Sequence, residues 1–271
     1  MPNFLGYFKD KWREYRIWCG NREFIAQKIS ERQGANQLEQ DILVDFKSFF
    51  KESIESDARN FLINREDFLP CLNDKTPYTG FDRHYIYHLA WAARILNKIK
   101  PASHVDISSS LYFSSIISAF IPLTFIDYRP ARLRLHGLMT ASANLTDLPF
   151  ADNSFESISC MHVLEHVGLG RYGDPLDPLG DLAAIDELIR VTALGGSLLV
   201  VVPVGRKHIA YNAHRVYDNS EFINYFSGMQ LVESALIGDE SSGIDLVQNA
   251  PQEICAKQEY GCGCYYFKKM R

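Results

Sequence analysis

Residues 181–203 read DLAAIDELIRVTALGGSLLVVVP, and this stretch decides the fold. Its first half places apolar residues at helical spacing and predicts a helix over 181–192. Its second half is a run of mostly branched apolar residues, which predicts a strand over 197–203 that is buried on both faces. A helix that feeds such a strand through Gly195-Gly196, with glycine at the helix C-terminus, is typical of the repeating unit of a parallel α/β sheet.

The same alternation of short apolar runs with helical stretches extends from Pro101 to the end of the chain. A helix is predicted from His84 to Lys100. Strands are predicted over 103–107, 123–127, 138–142, 156–161, 197–203, 229–237 and 260–268. A long polar segment separates the last two strands, which favours an antiparallel hairpin on the sheet edge. The sequence therefore indicates an α/β sheet of about seven strands.

The residues before the sheet have a different pattern of charged and apolar residues. Charged residues alternate with apolar ones at helical spacing, as at Ile42, Phe46 and Phe49, and turn-forming residues cluster over 73–80. We therefore predict a helical N-terminal region over 1–80 and a second domain over 81–271. An aromatic stripe within residues 4–18 is interpreted as a packing face.

The composition excludes several classes of protein. With 46% hydrophobic and 23% charged residues, the chain has the profile of a soluble globular protein. A formal charge of -5 provides no strong field for nucleic acid or anionic lipid, and no apolar run is long enough to span a membrane. Six cysteines are too sparse for a disulfide scaffold and fit reduced thiols. We expect a cytoplasmic protein without nucleic-acid or membrane partners; a homo-oligomer is compatible with these observations.

Polar side chains follow the predicted strands at the edge where ligands bind in α/β sheets. Asp127 ends the second strand, where a carboxylate can accept hydrogen bonds from both ribose hydroxyls or serve as a turn residue. The glycine-rich loop over 168–181 carries Arg171, Asp174 and Asp177, which we interpret as substrate-binding candidates. Beyond the fifth strand, Arg215 adds a substrate-binding candidate, and His214 is either a general base near neutral pH or a structural histidine.

The stretch His162-Val163-Leu164-Glu165-His166 matches the H-x-x-E-H pattern of some zinc peptidases. Those enzymes carry the pattern on a long helix, whereas here it follows a strand and is soon interrupted by Gly168 and Gly170. The peptidase interpretation is therefore not favoured. A divalent ion held by some of His162, Glu165, His166, Asp174 and Asp177 is an alternative. Cys262-Gly263-Cys264 lacks a second Cys/His pair at zinc spacing, and no metal is assigned.

Taken together, these segments resemble the Rossmann-like class of S-adenosylmethionine-dependent methyltransferases over roughly residues 100–271. The most specific parts are Leu148-Pro149-Phe150-Ala151-Asp152-Asn153-Ser154-Phe155 and the following Leu164-Glu165-His166-Val167. Residues 84–94, 168–177 and 212–217 more narrowly resemble a little-characterised methyltransferase-like family of unknown function. Some members of that family occur near surface-polysaccharide genes, which points to a sugar acceptor. The implied fold is a Rossmann-like methyltransferase sheet with an antiparallel edge hairpin.

The resemblance implies a role for each of several residues. Asp127 would hold the ribose hydroxyls, Asn144 would meet the adenine amino group, and Leu145 would lie against the ring. The backbone from Asp106 through Ser108 to Ser110 would contact the methionine end of the cofactor. His162 would lie beside the methyl group, with His162, His166 or His214 as the base. Glu165, Asp174 or Arg215 would orient that base. The expected partner is a small-molecule or sugar acceptor, methylated on oxygen or nitrogen.

The chain departs from this class at three positions. Ser108, Ser110 and Tyr112 stand where the class carries an alternating glycine pattern. Glycine is used there because the backbone approaches the ligand and adopts positive φ, which costs other residues about 1 kcal/mol or more. Serine hydroxyls can donate to the cofactor carboxylate, whereas Tyr112 can plug the pocket. The alternative function is therefore a catalytically silent, methyltransferase-like binding module that recognises a sugar or a protein.

Overall fold

The structure is a computed structural model that describes residues 41–42, 44–46, 48–49, 61, 69–71 and 74–270. It divides into two compact units, Met1–Gly80 and Phe81–Arg271. In the first unit, the described residues between 41 and 49 are helical. The predicted aromatic stripe over 4–18 lies outside the described residues. The assignment of the two parts as a helical region and a methyltransferase-like domain stays a prediction.

The second unit is built on one eight-stranded sheet in the order β3-β2-β1-β4-β5-β10-β8-β9. Helices α1 to α5 span Arg83–Ile99, Leu111–Ile117, Gly180–Val191, Asn219–Asn224 and Gln252–Cys255. Strands β1 to β10 span His104–Ile107, Leu123–Asp127, Leu138–Ser142, Phe155–Met161, Thr192–Val204, His208–Ala210, His214–Val216, Met229–Ile237, Val247–Gln248 and Gly261–Lys269. Strands β1 to β5 are parallel to one another, whereas β10 is antiparallel to both β5 and β8. The predicted Rossmann-like α/β fold is confirmed.

Two details differ from the sequence-based predictions. Helix α3 ends at Val191 because Thr192 is already extended, so the glycines do not cap the helix. Gly195, at φ +76°, instead lies inside β5, where the register with β4 shifts. The antiparallel pair also has a different position: β10 lies inside the sheet and β9 forms the edge. Residues 262–267 are buried throughout, as a strand covered on both faces requires.

The sheet has a hydrophobic core on each face, and β5 contributes to both. Successive strand residues point to opposite faces, so Leu198, Val200 and Val202 join one core while Leu199 and Val201 join the other. Leu188 of α3 packs in the first core, and Ile95 of α1 packs in the second. With both faces covered, the carboxyl ends of the parallel strands are the edge at which loops converge.

Among the described helices, none is long and apolar enough to cross a bilayer.

Candidate functional site

A cavity of about 270 Å³ lies at the carboxyl ends of β1, β2, β3 and β4. Each strand contributes residues at or just beyond its last position. The wall consists of Ile107, Ser108, Asp127, Tyr128, Arg129, Ala143, Asn144, Leu145, His162, Val163, His166, Val167, Tyr172 and Asp174. The cavity thus combines two carboxylates, an amide, two imidazoles and apolar surface, as ligand pockets commonly do.

Asp127 and Asn144 line the same cavity although they follow different strands. Asp127 Oδ1 accepts a hydrogen bond of 2.6 Å from the backbone N–H of Arg129, which fixes the carboxylate. Asn144 Oδ1 accepts from the Thr146 N–H at 3.2 Å, and its amide group has no bond to another side chain among those described. Leu145 is buried beside them. The strand ends therefore bring the ribose and adenine candidates together.

Ser108 has a backbone φ of +53° directly after β1. This is the left-handed conformation for which the class uses glycine, so the turn keeps its shape at a cost in strain. The Ser108 hydroxyl donates to Ile126 O at 3.3 Å. Ser110 occupies the N-cap of α2 with φ -64° and lines no wall of this cavity. Tyr112 is 79% exposed and lies outside the cavity, so it does not plug it.

Asp106 lies outside the cavity wall, in a buried network that joins β1, β4 and α2. Ser114 Oγ and Ser159 Oγ donate to its two carboxylate oxygens, each at 2.5 Å. Burial raises the pKa of Asp106 to about 6, although hydrogen bonds from serine hydroxyls oppose the shift. Ser159 also bonds His104 Nε2 at 2.9 Å, and Ser157 bonds His104 Nδ1 at 2.8 Å. The side chain of Asp106 is thus occupied by the protein itself.

His166 lines the cavity, and a backbone carbonyl fixes the orientation of its ring. Its Nδ1–H donates to Ala213 O at 2.6 Å, which leaves Nε2 with a lone pair. Burial lowers the pKa of His166, so the ring is neutral at neutral pH. Glu165, 1% exposed, has Oε1 3.8 Å from His166 Nε2 and Oε2 without a hydrogen-bond partner. A proton taken up at Nε2 would place a charged ring beside this buried carboxylate, which would stabilise it.

His162 also lines the cavity, but both of its ring nitrogens face protein groups. Nδ1 lies 2.8 Å from Glu165 Oε1, and Nε2 lies 3.5 Å from the Cys262 sulfur. The ring stacks on His84 and Tyr85 with centroids 5.6 and 5.5 Å apart. The backbone φ of +56° is the second left-handed conformation at this sheet edge. His162 is therefore anchored more firmly than a free base would be.

The other substrate-binding candidates shape the loop around the site. Asp174 lines the cavity while accepting from the N–H groups of Gly168 and Tyr172 at 2.8 and 3.1 Å. Asp177 lies outside the cavity and accepts from the Leu179 N–H at 2.9 Å. The loop is thus held by its own aspartates.

The β6–β7 hairpin braces the same loop. The buried guanidinium of Arg215 donates to the carbonyls of Val167 and Pro178 at 2.6 and 3.2 Å. Arg171 donates to Ala213 O at 2.9 Å and lies outside the cavity wall. His214 also lies outside that wall and packs on Tyr260 at 4.8 Å, with a pKa lowered by burial. These three residues come together around the loop rather than on the cavity surface.

Three residues of the cavity wall whose side chains could contact a ligand were not predicted from the sequence: Tyr128, Arg129 and Tyr172. Tyr128 and Arg129 follow directly after Asp127, so their position at the strand end was the available signal. Tyr172 lies within the glycine-rich loop, and the Arg129 guanidinium lies 4.9 Å from the centre of its ring. This cation–π pair joins the β2 end to the loop across the cavity. No spacing pattern connects those two residues in the sequence.

A family described as "Caenorhabditis protein of unknown function, DUF268" matches residues 141–260, which is less than half of the chain. No curated protein matches the chain.

Several solved structures are similar. The N-methyltransferase NodS of Bradyrhizobium japonicum WM9, in complex with S-adenosyl-L-homocysteine, is 16% identical over 68% of this chain and 86% of its own, with a TM-score of 0.49. The 1,6-didemethyltoxoflavin-N1-methyltransferase of Burkholderia thailandensis is 11% identical over 68% and 79%, with a TM-score of 0.48. YcgJ of Bacillus subtilis is 15% identical over 68% and 100%, with a TM-score of 0.46. By the strand order of its own sheet, the second unit has a Rossmann-like α/β fold.

Proposed function

We propose that this protein is an S-adenosylmethionine-dependent methyltransferase that acts on an oxygen or nitrogen of a small acceptor, a sugar being the class favoured by the family resemblance. One observation carries the proposal: Asp127, Asn144 and His166 converge on one cavity at the carboxyl ends of neighbouring parallel strands. That arrangement supplies a ribose partner, an adenine partner and a base around one ligand volume.

The residues present fit the cofactor. The Asp127 carboxylate is suited to the two ribose hydroxyls, and the Asn144 amide with Leu145 is suited to the adenine ring. The left-handed turn at Ser108 keeps the backbone shape that the class obtains from glycine. Since Tyr112 and Leu111 both lie outside the cavity wall, neither side chain supports the alternative of a silent module with a filled pocket.

When bound, S-adenosylmethionine supplies an electrophilic methyl group on a sulfonium. The protein holds the acceptor in place and removes its proton. His166 is the base in this proposal, because its Nε2 is unprotonated and its Nδ1 is anchored on Ala213 O. Nε2 takes the proton from the acceptor oxygen or nitrogen, and Glu165 stabilises the imidazolium that results. His162 does not accept the proton, because its Nδ1 faces Glu165 and its Nε2 faces Cys262.

Calorimetric titration with S-adenosylhomocysteine tests the cofactor site. We expect saturable binding by the native chain, and Asp127→Ala should weaken it by about tenfold or more, because hydrogen bonds to a charged group are lost. Tyr112→Ala is the control, since this exposed side chain lies outside the cavity and its loss should leave the affinity unchanged. Circular dichroism confirms that each variant is folded. No heat with the native chain at high micromolar ligand would contradict the proposal.

A further inference from the structure

A cluster of His84, His162 and Cys262 borders the cavity, with His162 in its wall, and none of the three takes up the proton in the reaction proposed above. One potential ligand atom of each residue lies within 4.8 Å of the other two. The three come from the start of α1, the end of β4 and the start of β10, so the fold brings together residues that are far apart in the chain. Cys262 is completely buried and His84 is half-buried.

We propose that His84, His162 and Cys262 bind a zinc ion, with a fourth position open to water or to an oxygen of a ligand. Thiolate and imidazole are the donors that zinc prefers, and three protein ligands with one open position are typical of catalytic zinc sites. Zinc bonds of about 2.0–2.1 Å to nitrogen and 2.3 Å to sulfur place tetrahedral ligand atoms about 3.4–3.6 Å apart. The separation of 3.5 Å between His162 Nε2 and Cys262 Sγ matches that value.

Glu165 lies where it can orient His162, one of the proposed zinc ligands. Its carboxylate contacts His162 Nδ1 at 2.8 Å, which is the ring nitrogen opposite to the one that faces Cys262. The Nδ1–H therefore donates to Glu165 and leaves a lone pair on Nε2. A carboxylate that orients a metal-bound histidine in this way recurs in zinc proteins, and its removal typically costs 10–100-fold in metal affinity.

Two nearby atoms give independent support. His88 Nε2 and Glu165 Oε2 are buried without a hydrogen-bond partner, and His88 packs against His162 with ring centroids 5.0 Å apart. Unpartnered buried polar atoms are costly and often mark a place where an ion or water binds. His162 further adopts φ +56°, the kind of backbone strain that persists at functional sites. A simple hydrogen bond from the Cys262 thiol to the His162 imidazole would explain neither the unpartnered atoms nor the backbone strain.

Metal content and cobalt spectroscopy test the site without any cofactor or acceptor, so the result is separate from the methyl-transfer proposal. The purified chain, stripped with a chelator and reloaded with zinc, should retain about one zinc ion per chain. Reloading with cobalt should give a thiolate-to-cobalt charge-transfer band and the visible bands of tetrahedral cobalt. Retention of no zinc, or a cobalt spectrum without the thiolate band, would overturn the proposal.

Two cysteine variants form a matched pair. Cys262 and Cys264 lie on the same face of β10, both are fully buried, and their sulfurs are 4.0 Å apart. Cys262→Ser should abolish the cobalt band, while Cys264→Ser should retain it together with the bound zinc. Equal retention by both variants, or loss with Cys264→Ser alone, would overturn the assignment.

Variants outside β10 keep the test informative if both serine variants misfold. His84→Gln, at the half-buried start of α1, should lower zinc affinity at least tenfold. Glu165→Gln should lower it 10–100-fold while leaving the cobalt band in place at saturating metal. Unchanged zinc affinity in both variants would overturn the proposal.

Discussion

Ser108 adopts a left-handed backbone conformation, which strains a serine but would not strain the glycine that is usual at this position. A residue with a Cβ in the left-handed region loses about 1–2 kcal/mol, and a β-branched one is a more severe outlier. We expect Ser108→Gly to hold or raise the melting temperature. Ser108→Val should cost about 1–2 kcal/mol more in unfolding free energy than Ser110→Val. The control is suitable because Ser110 is also half-buried but has φ -64°. Equal costs for the two valine variants, measured by urea unfolding, would contradict strain at Ser108.

The sequence predicted which residues line the cavity where the end of a strand alone determines the position of a residue. Asp127 and Asn144 could be placed because each follows a strand directly. Arg215 was predicted to bind substrate but donates to backbone carbonyls, and the carboxylate of Asp106, a predicted cofactor residue, accepts from two serines. Whether a charged side chain faces a ligand or the protein depends on neighbours that sequence spacing does not reveal. His84 was not among the predicted site residues, and Cys262-Gly263-Cys264 was not assigned a metal, for a related reason: the residues near them in the fold lie on elements far away in the chain.

At the scale of one element, β1 carries two buried titratable groups with opposite effects on pH stability. Burial lowers the pKa of His104 to about 3, so the unfolded chain binds more protons and stability rises with pH from about 3 to 6.5. Burial raises the pKa of Asp106 to about 6, so the folded chain binds more protons and stability falls with pH from about 4 to 6. In the overlap, the two effects oppose each other.

The two groups can be separated by substitution within β1. His104→Gln should reduce the slope of unfolding free energy against pH between pH 4 and 6 by roughly 1.4 kcal/mol per unit. Asp106→Asn should increase the same slope by a similar amount. Urea unfolding across that pH range measures both. If both variants change the slope in the same direction, or if neither variant changes it, His104 and Asp106 do not titrate as buried groups do.

Over the whole molecule, the apolar pattern predicted seven strands to within one residue at each end, except that β5 begins five residues before the prediction. Most of these strands are buried, and a buried strand needs an apolar run. The pattern did not predict that β10 lies between β5 and β8, since an apolar run fixes burial and not the neighbour. It also missed the β6–β7 hairpin, which is short and half-exposed. That hairpin supplies Ala213, whose carbonyl anchors His166, so the missing element was also a missing part of the site.

The two cores on either side of the sheet predict how mutational costs combine. Ile95 lies in the core under α1, and Leu188 lies in the core under α3, on the opposite face of β5. Replacing either by alanine should cost about 2–5 kcal/mol, because a buried cavity is left behind. Since the sites share no packing partner across the sheet, the double variant should cost the sum to within about 0.5 kcal/mol. Asn97→Ala and Asp186→Ala, exposed on the same two helices, are the controls and should change little. Urea unfolding of all five variants measures this, and a coupling energy well above that margin would mean that the faces communicate through the sheet.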